Sequence, residues 1–440
     1  MSTPLRIAWF SPLNDPRSLS SYSSQVLLPF IEKHCEVELF HNNFDEYRGY
    51  ETHHYLRAFE RHREKPFTHF FYQIEDGPAS HFCRFHSTLI PGISWFHDLL
   101  VVDSGPVPLY VSPWEKTLQK FFDDSIPFPK RGDKFDHKAP LLWREASLAP
   151  VALFSTVHAH DEYLGNVKQS LAAIPNADRV GATSYYLPVP ANSYPVESRS
   201  ITSTFQIAYF GTSRIEHRAH KLLLALQSLP KSSYTFIWLL DGHEVPQAES
   251  LLIEFGISGK LVVERTPERW IQLLATTDIV AAPFFSVFGQ CGAYLASSLM
   301  AGKPTLVTTF GGGESLPDEV VLKIQPGESE ATEIVEALRL LFDDKAGLHL
   351  QQTVGAAARE FAVENYSAAN VAEELIQIFE KTREHVGSVS KRFDSLREAA
   401  RTALLLEAKS IVNSPNDPEA IAPWSRIIEP NLKEILERST

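Results

Sequence analysis

Residues 278–308 limit this chain more than any other stretch. Asp278-Ile279-Val280-Ala281-Ala282-Pro283 reads as a buried strand. A glycine turn follows, with Gly289 and Gly292, and then a helix of small residues over about 293–301. Gly302 stops that helix, and Pro304 opens a second apolar strand, Thr305-Leu306-Val307-Thr308. Two apolar strands joined through one helix form a βαβ crossover, which belongs to a parallel sheet. The helix N-terminus then faces the sheet's carboxyl edge. Free backbone N–H groups and the helix dipole both favour an anion there.

The same alternation runs through most of the chain. Leu5-Arg6-Ile7-Ala8-Trp9-Phe10 predicts a first buried strand, followed by a helix over about 21–33. Further strands are predicted at 35–40, 68–73, 92–96 and 151–156. Residues 185–204 are polar and carry Pro188, Pro190 and Pro195, so they read as a linker. Strands then recur at 205–211, 235–240 and 261–264, with helices over about 221–229, 246–255 and 267–275. Residues 328–380 read as helical and 391–411 as an amphipathic helix. A chain of 440 residues exceeds one ordinary core. The expected fold is α/β, with two Rossmann-like, doubly wound domains facing across a cleft. Their expected spans are 1–195 and 196–385, with a helical extension over 386–440. Residues 103–149 interrupt the rhythm and suit either a binding loop or a surface excursion.

Charge and cysteine content narrow the function. The net charge is 41 − 54 = −13, which disfavours a general nucleic-acid or anionic-membrane surface. Cys35, Cys83 and Cys291 are odd in number and widely spaced, matching neither a disulfide framework nor a zinc site. His158, His160 and Asp161 lack a second matched cluster, so no metal is expected. The chain enters its first strand without a basic, apolar leader, and no apolar run reaches the roughly 20 residues needed to span a bilayer. A cytoplasmic protein is expected.

From Leu5 to about residue 385 the chain resembles the GT-B glycosyltransferases, most closely the retaining family 4 group. The resemblance rests on Arg6-Ile7-Ala8-Trp9-Phe10-Ser11-Pro12 with Tyr22, on Tyr72-Gln73, on Phe96-His97-Asp98-Leu99 and on Phe210-Gly211. It continues through Asp278-Ile279-Val280, Phe288-Gly289, Ala301-Gly302-Lys303-Pro304 and Gly311-Gly312-Gly313. It implies a nucleotide-sugar donor in the second domain, an acceptor in the first, and transfer without a required metal or other cofactor. His97 stands where the family's histidine contacts the donor sugar and is the candidate catalytic residue. Tyr22, Gln73 and Asp98 are the candidate acceptor residues. Gly211, Ser213, Arg214, Arg218, Asp241, Ser286, Phe288, Gly289, Gly292 and Ser297 are the candidate donor residues.

The chain departs from the family pattern at the donor side. The family's arginine and lysine positions hold Thr212 and His217, with Arg214 and Arg218 within a turn as the nearest cations. Arginine pairs well with phosphate because its guanidinium is bidentate. The family's two glutamates fall on Ser286 and on Ser297 or Tyr294, depending on the direction of counting. The first loop reads Ser18-Leu19-Ser20-Ser21, without the glycine that lets backbone approach phosphate. Two readings follow. One is an active transferase using a saccharide, lipid-linked glycan or protein hydroxyl as acceptor. The other is a catalytically inactive GT-B protein that binds a glycan, a peptide or a partner enzyme. An epimerase or phosphorylase on the same fold is less well matched, because no lysine suited to a bound cofactor lies beside the glycine turns. The extension after 385 suits either homodimerisation or bracing of the first domain.

Overall fold

A computed structural model describes residues 4–383 apart from 43–45, 76–77, 91, 99–145, 147–148, 168–182, 193–203, 286–291 and 344. Each half forms one parallel sheet, as the strand–helix alternation predicts. The first contains β1 (Leu5–Phe10), β2 (Cys35–His41), β3 (Thr52–His54), β4 (His69–Ile74), β5 (Ile93–Phe96), β6 (Val151–Phe154) and β7 (Thr183–Tyr186). Their order is β3-β2-β1-β4-β5-β6-β7. The second contains β8 (Phe205–Tyr209), β9 (Tyr234–Leu240), β10 (Gly259–Val263), β11 (Ile279–Ala282), β12 (Thr305–Thr308) and β13 (Leu322–Ile324), in the order β10-β9-β8-β11-β12-β13. The strand order reverses between β1 and β4 and again between β8 and β11. Such switch points are where doubly wound sheets take ligands.

The α-helices of the first half are α1 (Leu19–Ile31), α2 (Ala58–Glu64), α3 (His81–Leu89) and α4 (Val157–Glu162). Those of the second are α5 (Ala219–Gln227), α6 (Val245–Phe255), α7 (Pro267–Leu274), α8 (Gly292–Met300), α9 (Glu330–Phe342), α10 (Ala346–Tyr366) and α11 (Ala368–Lys381). The strands that the sequence reading lacks are short or at an edge. β3 and β13 have three residues each, and β7 is half-buried along its whole length. None offers the apolar run that marks a central strand. The expected linker therefore begins inside β7, whose Tyr185 and Tyr186 pair with Leu153 and Phe154. The helical stretch over 328–380 resolves into three helices, and Ser367 caps the last by accepting the Asn370 N–H.

The two units share their cores. The chain leaves the first unit along residues 187–191, where the Ala191 N–H donates to the Tyr366 carbonyl at 2.7 Å. It returns at Ser367, which forms a parallel bridge with Ala191. Helix α11 then buries Val371, Leu375, Ile378 and Phe379 among Leu27, Leu28 and Ile31 of the first unit. Phe379 meets Phe71 of β4 edge-on at 5.6 Å. In the other direction, Leu19, Tyr22 and Val26 of α1 join the core of the second unit. The last helix of the expected 196–385 domain thus packs on the first sheet. The expected boundary near 195 and the expected extension over 386–440 lie outside the described residues.

Helix α8 is held by backbone proximity. Gly302 takes a left-handed φ of +66° just past its end, a conformation glycine adopts without a Cβ penalty. A Cβ on Gly355 of α10 would lie 2.3 Å from the Gly302 carbonyl oxygen, which is backbone and cannot swing away. Gly355→Ala should therefore destabilise the protein by about 1–3 kcal/mol through overpacking, although helix propensity alone favours alanine. Thermal unfolding checks this. A variant as stable as the wild type would show that α8 and α10 are not in close backbone contact.

Candidate functional site

The loops after β8 and β11 meet at the second switch point. Phe284 turns inward and packs on Phe210 at 5.0 Å, His217 at 5.1 Å and Tyr209 at 5.9 Å. Gly211 lies under these rings. A Cβ there would be 2.1 Å from the Tyr209 hydroxyl and 2.5 Å from Phe284. Its carbonyl accepts from Trp238 Nε1 at 2.7 Å. Gly211 is therefore a packing glycine in this arrangement. Thr212 and His217, at the family's cation positions, are tied to each other: the Thr212 N–H donates to His217 Nδ1 at 2.7 Å.

The nearby arginines differ in setting. Arg218 donates to fully buried Glu330 through Nε at 3.1 Å and Nη2 at 2.5 Å. Its guanidinium also lies over the Phe285 ring at 5.2 Å, and Phe285 stacks on Phe310 at 4.1 Å. Arg218 holds a φ of +59°, which costs a non-glycine residue about 1 kcal/mol. The paired and stacked guanidinium offsets that strain. Arg214 is exposed at the turn, and its N–H donates to Thr212 Oγ1 at 3.2 Å. The charge expected to serve phosphate is thus divided, with Arg218 committed to Glu330 and Arg214 at the surface.

Other expected donor residues lie apart. Ser213 donates to Gln247 at 2.8 Å. Asp241 caps the turn Gly242–Glu244 and pairs with Arg265 at 3.4 Å. Ser297 is fully buried within α8, and its hydroxyl has no partner. Tyr294 stacks on Phe210 at 5.0 Å, and its hydroxyl donates to the Arg265 carbonyl at 3.0 Å. Ser286, Phe288 and Gly289 lie outside the described residues.

Gln73, His97 and Asp98 sit at the carboxyl edge of the first sheet. Gln73 is buried and accepts from Ser24 at 2.7 Å, while its Nε2 has no partner. His97 follows β5, with its N–H on the Ile74 carbonyl at 2.8 Å and its ring 4.4 Å from Trp95. Burial pushes its pKa down to about 3, so the ring is a neutral imidazole at physiological pH. Its Nδ1 lies 2.9 Å from Ser155 Oγ, whereas its Nε2 is buried without a partner. Asp98 is buried beside it. Tyr22 instead faces the second unit's core and is 3% exposed. His158 packs on Phe310 at 5.8 Å, while His160 contacts Ser184 at 3.1 Å, so the two rings go to different partners. Among the described residues no three His, Cys, Asp or Glu side chains converge as metal ligands.

Between the two sheet edges lies a cleft that is open to solvent. Ser155 bounds it from the first unit, Val189 from the crossing segment, Gly292 and Leu295 from α8, and Thr308 and Phe310 from β12 and its loop. A Cβ on Gly292 would be 2.7 Å from Val189 Cγ2, so glycine lets the start of α8 approach the crossing strand. Ser155 and Thr308 are among the lining residues that the family pattern does not mark. Ser155 has the same positional signal as His97, since each follows a strand at the carboxyl edge.

No protein-family model matches the sequence, and no curated protein matches it. Solved structures match its fold. The chain is similar to a sucrose-phosphate synthase from Thermosynechococcus elongatus, at 13% identity and a TM-score of 0.58, over 86% of this chain and 98% of the other. It is similar to HepE from Anabaena in complex with UDP-glucose, at 14% identity and a TM-score of 0.58, over 86% and 100%. It is also similar to WaaG, a glycosyltransferase involved in lipopolysaccharide biosynthesis, at 13% identity and a TM-score of 0.53, over 85% and 99%. The fold is that of the GT-B glycosyltransferases.

Glu75 is a feature the sequence marks only as a loop residue after β4. Its carboxylate is 6% exposed and accepts the Ser20 N–H at the start of α1, at 3.1 Å. Burial raises its pKa from 4.5 to about 7, opposed by hydrogen bonds from Ser18 and from the Ser20 backbone. The sign follows from that shift. The folded protein favours the protonated acid, so stability held below the ordinary pKa is lost as pH rises through about 7. Glu75→Gln keeps an acceptor for Ser20 without the buried charge. It should melt higher than the wild type at pH 8 by the equivalent of about 1–3 kcal/mol, and the two should coincide near pH 4. A gain independent of pH would contradict the assignment.

Proposed function

We propose that the chain is a glycosyltransferase that moves a sugar from a nucleotide-sugar donor to a hydroxyl acceptor, with retention and without a metal. The observation that carries this reading is the cavity itself. Helix α8 begins at its wall with Gly292, and Ser155, which contacts buried His97, lines it from the first unit. The first backbone N–H groups of α8 are suited to charge that builds on a departing diphosphate. Neutral His97, with an unpartnered Nε2, is suited to a hydrogen bond with a sugar hydroxyl, not to proton transfer near pH 7. The GT-B fold and the UDP-glucose in the HepE structure support the donor class. Acceptors in keeping with this reading are a saccharide, a lipid-linked glycan or a protein hydroxyl in the cytoplasm.

A second reading has its own support. Thr212 and His217 close on each other, Arg218 is committed to Glu330, and Ser297 is buried inside α8. These arrangements suit a GT-B protein that binds a glycan, a peptide or a partner enzyme without catalysis. Titration with a panel of nucleotide sugars separates the two. The transferase reading expects at least one donor to bind below millimolar concentration and to be hydrolysed or transferred. His97→Ala should then lower kcat/KM by at least about tenfold, through loss of a hydrogen bond at the sugar. Failure of every donor to bind at millimolar concentration would leave the non-catalytic reading.

A further inference from the structure

We propose that Thr308 reads a hydroxyl of the transferred sugar and so helps determine which sugar is accepted. The proposal rests on the donor reading above. Thr308 ends β12, in register with Ile324 of β13. It is 1% exposed, lines the cavity, and its Oγ1 has no hydrogen-bond partner. Its neighbours behave differently. Thr305 Oγ1 donates to the Lys303 carbonyl at 2.9 Å, and Thr309 Oγ1 donates to the Ile324 carbonyl at 3.1 Å. A buried hydroxyl without a partner is costly, and most are satisfied. Thr308 is the one of the three that borders the cavity.

The position of Thr308 is fixed. Its carbonyl accepts the Phe310 N–H at 2.7 Å, and a Cβ on Gly313 would lie 2.3 Å from the same oxygen. A β-branched side chain on so constrained a backbone has few rotamers. The cavity around it has two kinds of wall. Val189, Leu295 and Phe310 are apolar, while Ser155 and Thr308 are among the lining residues that carry hydroxyls. A sugar ring has the matching pattern, with apolar C–H faces and a rim of hydroxyls. A diphosphate has no apolar face and would gain more from the N–H groups at the start of α8.

The test is Thr308→Val, with Thr308→Ser as the variant that keeps the hydroxyl. Calorimetric titration would compare UDP with UDP-glucose and GDP with GDP-mannose, and thermal unfolding would be measured without ligand. Loss of one hydrogen bond predicts about tenfold weaker binding of the sugar nucleotide to Thr308→Val, with unchanged binding of the nucleoside diphosphate. Thr308→Ser should recover most of the loss. The unliganded Thr308→Val protein should melt no lower than the wild type, because the removed hydroxyl has no partner within the protein. The proposal is overturned if Thr308→Val binds sugar nucleotide as the wild type does. It is equally overturned if diphosphate binding falls in parallel, or if the variant melts several degrees lower. If the wild-type protein binds none of the nucleotide sugars in the donor panel at millimolar concentration, the donor reading fails and this proposal fails with it.

Discussion

The double crossing between the two units is the constraint on which the rest of the molecule depends. Backbone hydrogen bonding ties Ala191 to Tyr366, and the bridge to Ser367 places the outgoing and returning chains side by side. Helix α11 then inserts Leu375, Ile378 and Phe379 into the first unit, while α1 offers Leu19, Tyr22 and Val26 to the second. Interlocked apolar cores of this kind resist rigid-body separation, because opening them would expose fully buried side chains. The carboxyl edges of the two sheets border a common cleft. The cavity between Ser155 and Thr308 exists because of that geometry.

Much of the fold is legible in the sequence because the central strands are buried on both faces. Leu5-Arg6-Ile7-Ala8-Trp9-Phe10 and Asp278-Ile279-Val280-Ala281-Ala282 are apolar runs bounded by turn residues, and such runs require a covered parallel sheet. Edge strands carry no such signature. β7 is Thr183-Ser184-Tyr185-Tyr186, half-buried throughout, and its pattern reads as linker. The site was only partly legible. Position along the chain brings His97 and Gln73 to the sheet edge, and structure agrees that both are there. The partners of arginines are a different matter. Nothing near Arg218 in the sequence points to Glu330, 112 residues away, because a tertiary ion pair leaves no local pattern.

The first loop of the second unit illustrates what that long-range pairing does. Thr212 and His217 are linked through a backbone N–H and an imidazole nitrogen, and Tyr209 lies 2.9 Å from the His217 carbonyl. Arg218 continues the chain in a left-handed conformation toward Glu330 and Phe285. Phe285 in turn stacks on Phe310, and Phe310 meets His158 of the first unit. A chain of ring and guanidinium contacts thus runs from the buried carboxylate at the start of α9 across to α4. Cation–π and aromatic contacts of this kind each contribute about 0.5–1.5 kcal/mol, enough together to set the geometry of the loops they join. In such a loop the cation acts first on the shape of the site, by holding Phe285 where residues 286–291 begin.

The two helices that point at the cleft are not equivalent, and their difference bears on where charge can go. At the start of α1, Ser18 Oγ accepts the Ser21 N–H at 2.9 Å and Glu75 accepts the Ser20 N–H at 3.1 Å. The Glu75 carboxyl group already occupies the Ser20 N–H that a phosphate would seek, so an anion there would meet a helix start with its N–H groups taken. The absence of glycine from Ser18-Leu19-Ser20-Ser21 fits that filling, since no ligand need approach the backbone. Helix α8 begins with Gly292 at the cavity wall instead. At the edge of the first sheet, Gln73 Nε2 and His97 Nε2 are buried without a hydrogen-bond partner, and Ser155 Oγ lies 2.9 Å from His97 Nδ1. The start of α1 is thus filled by Ser18 and Glu75, whereas the start of α8 borders the cleft.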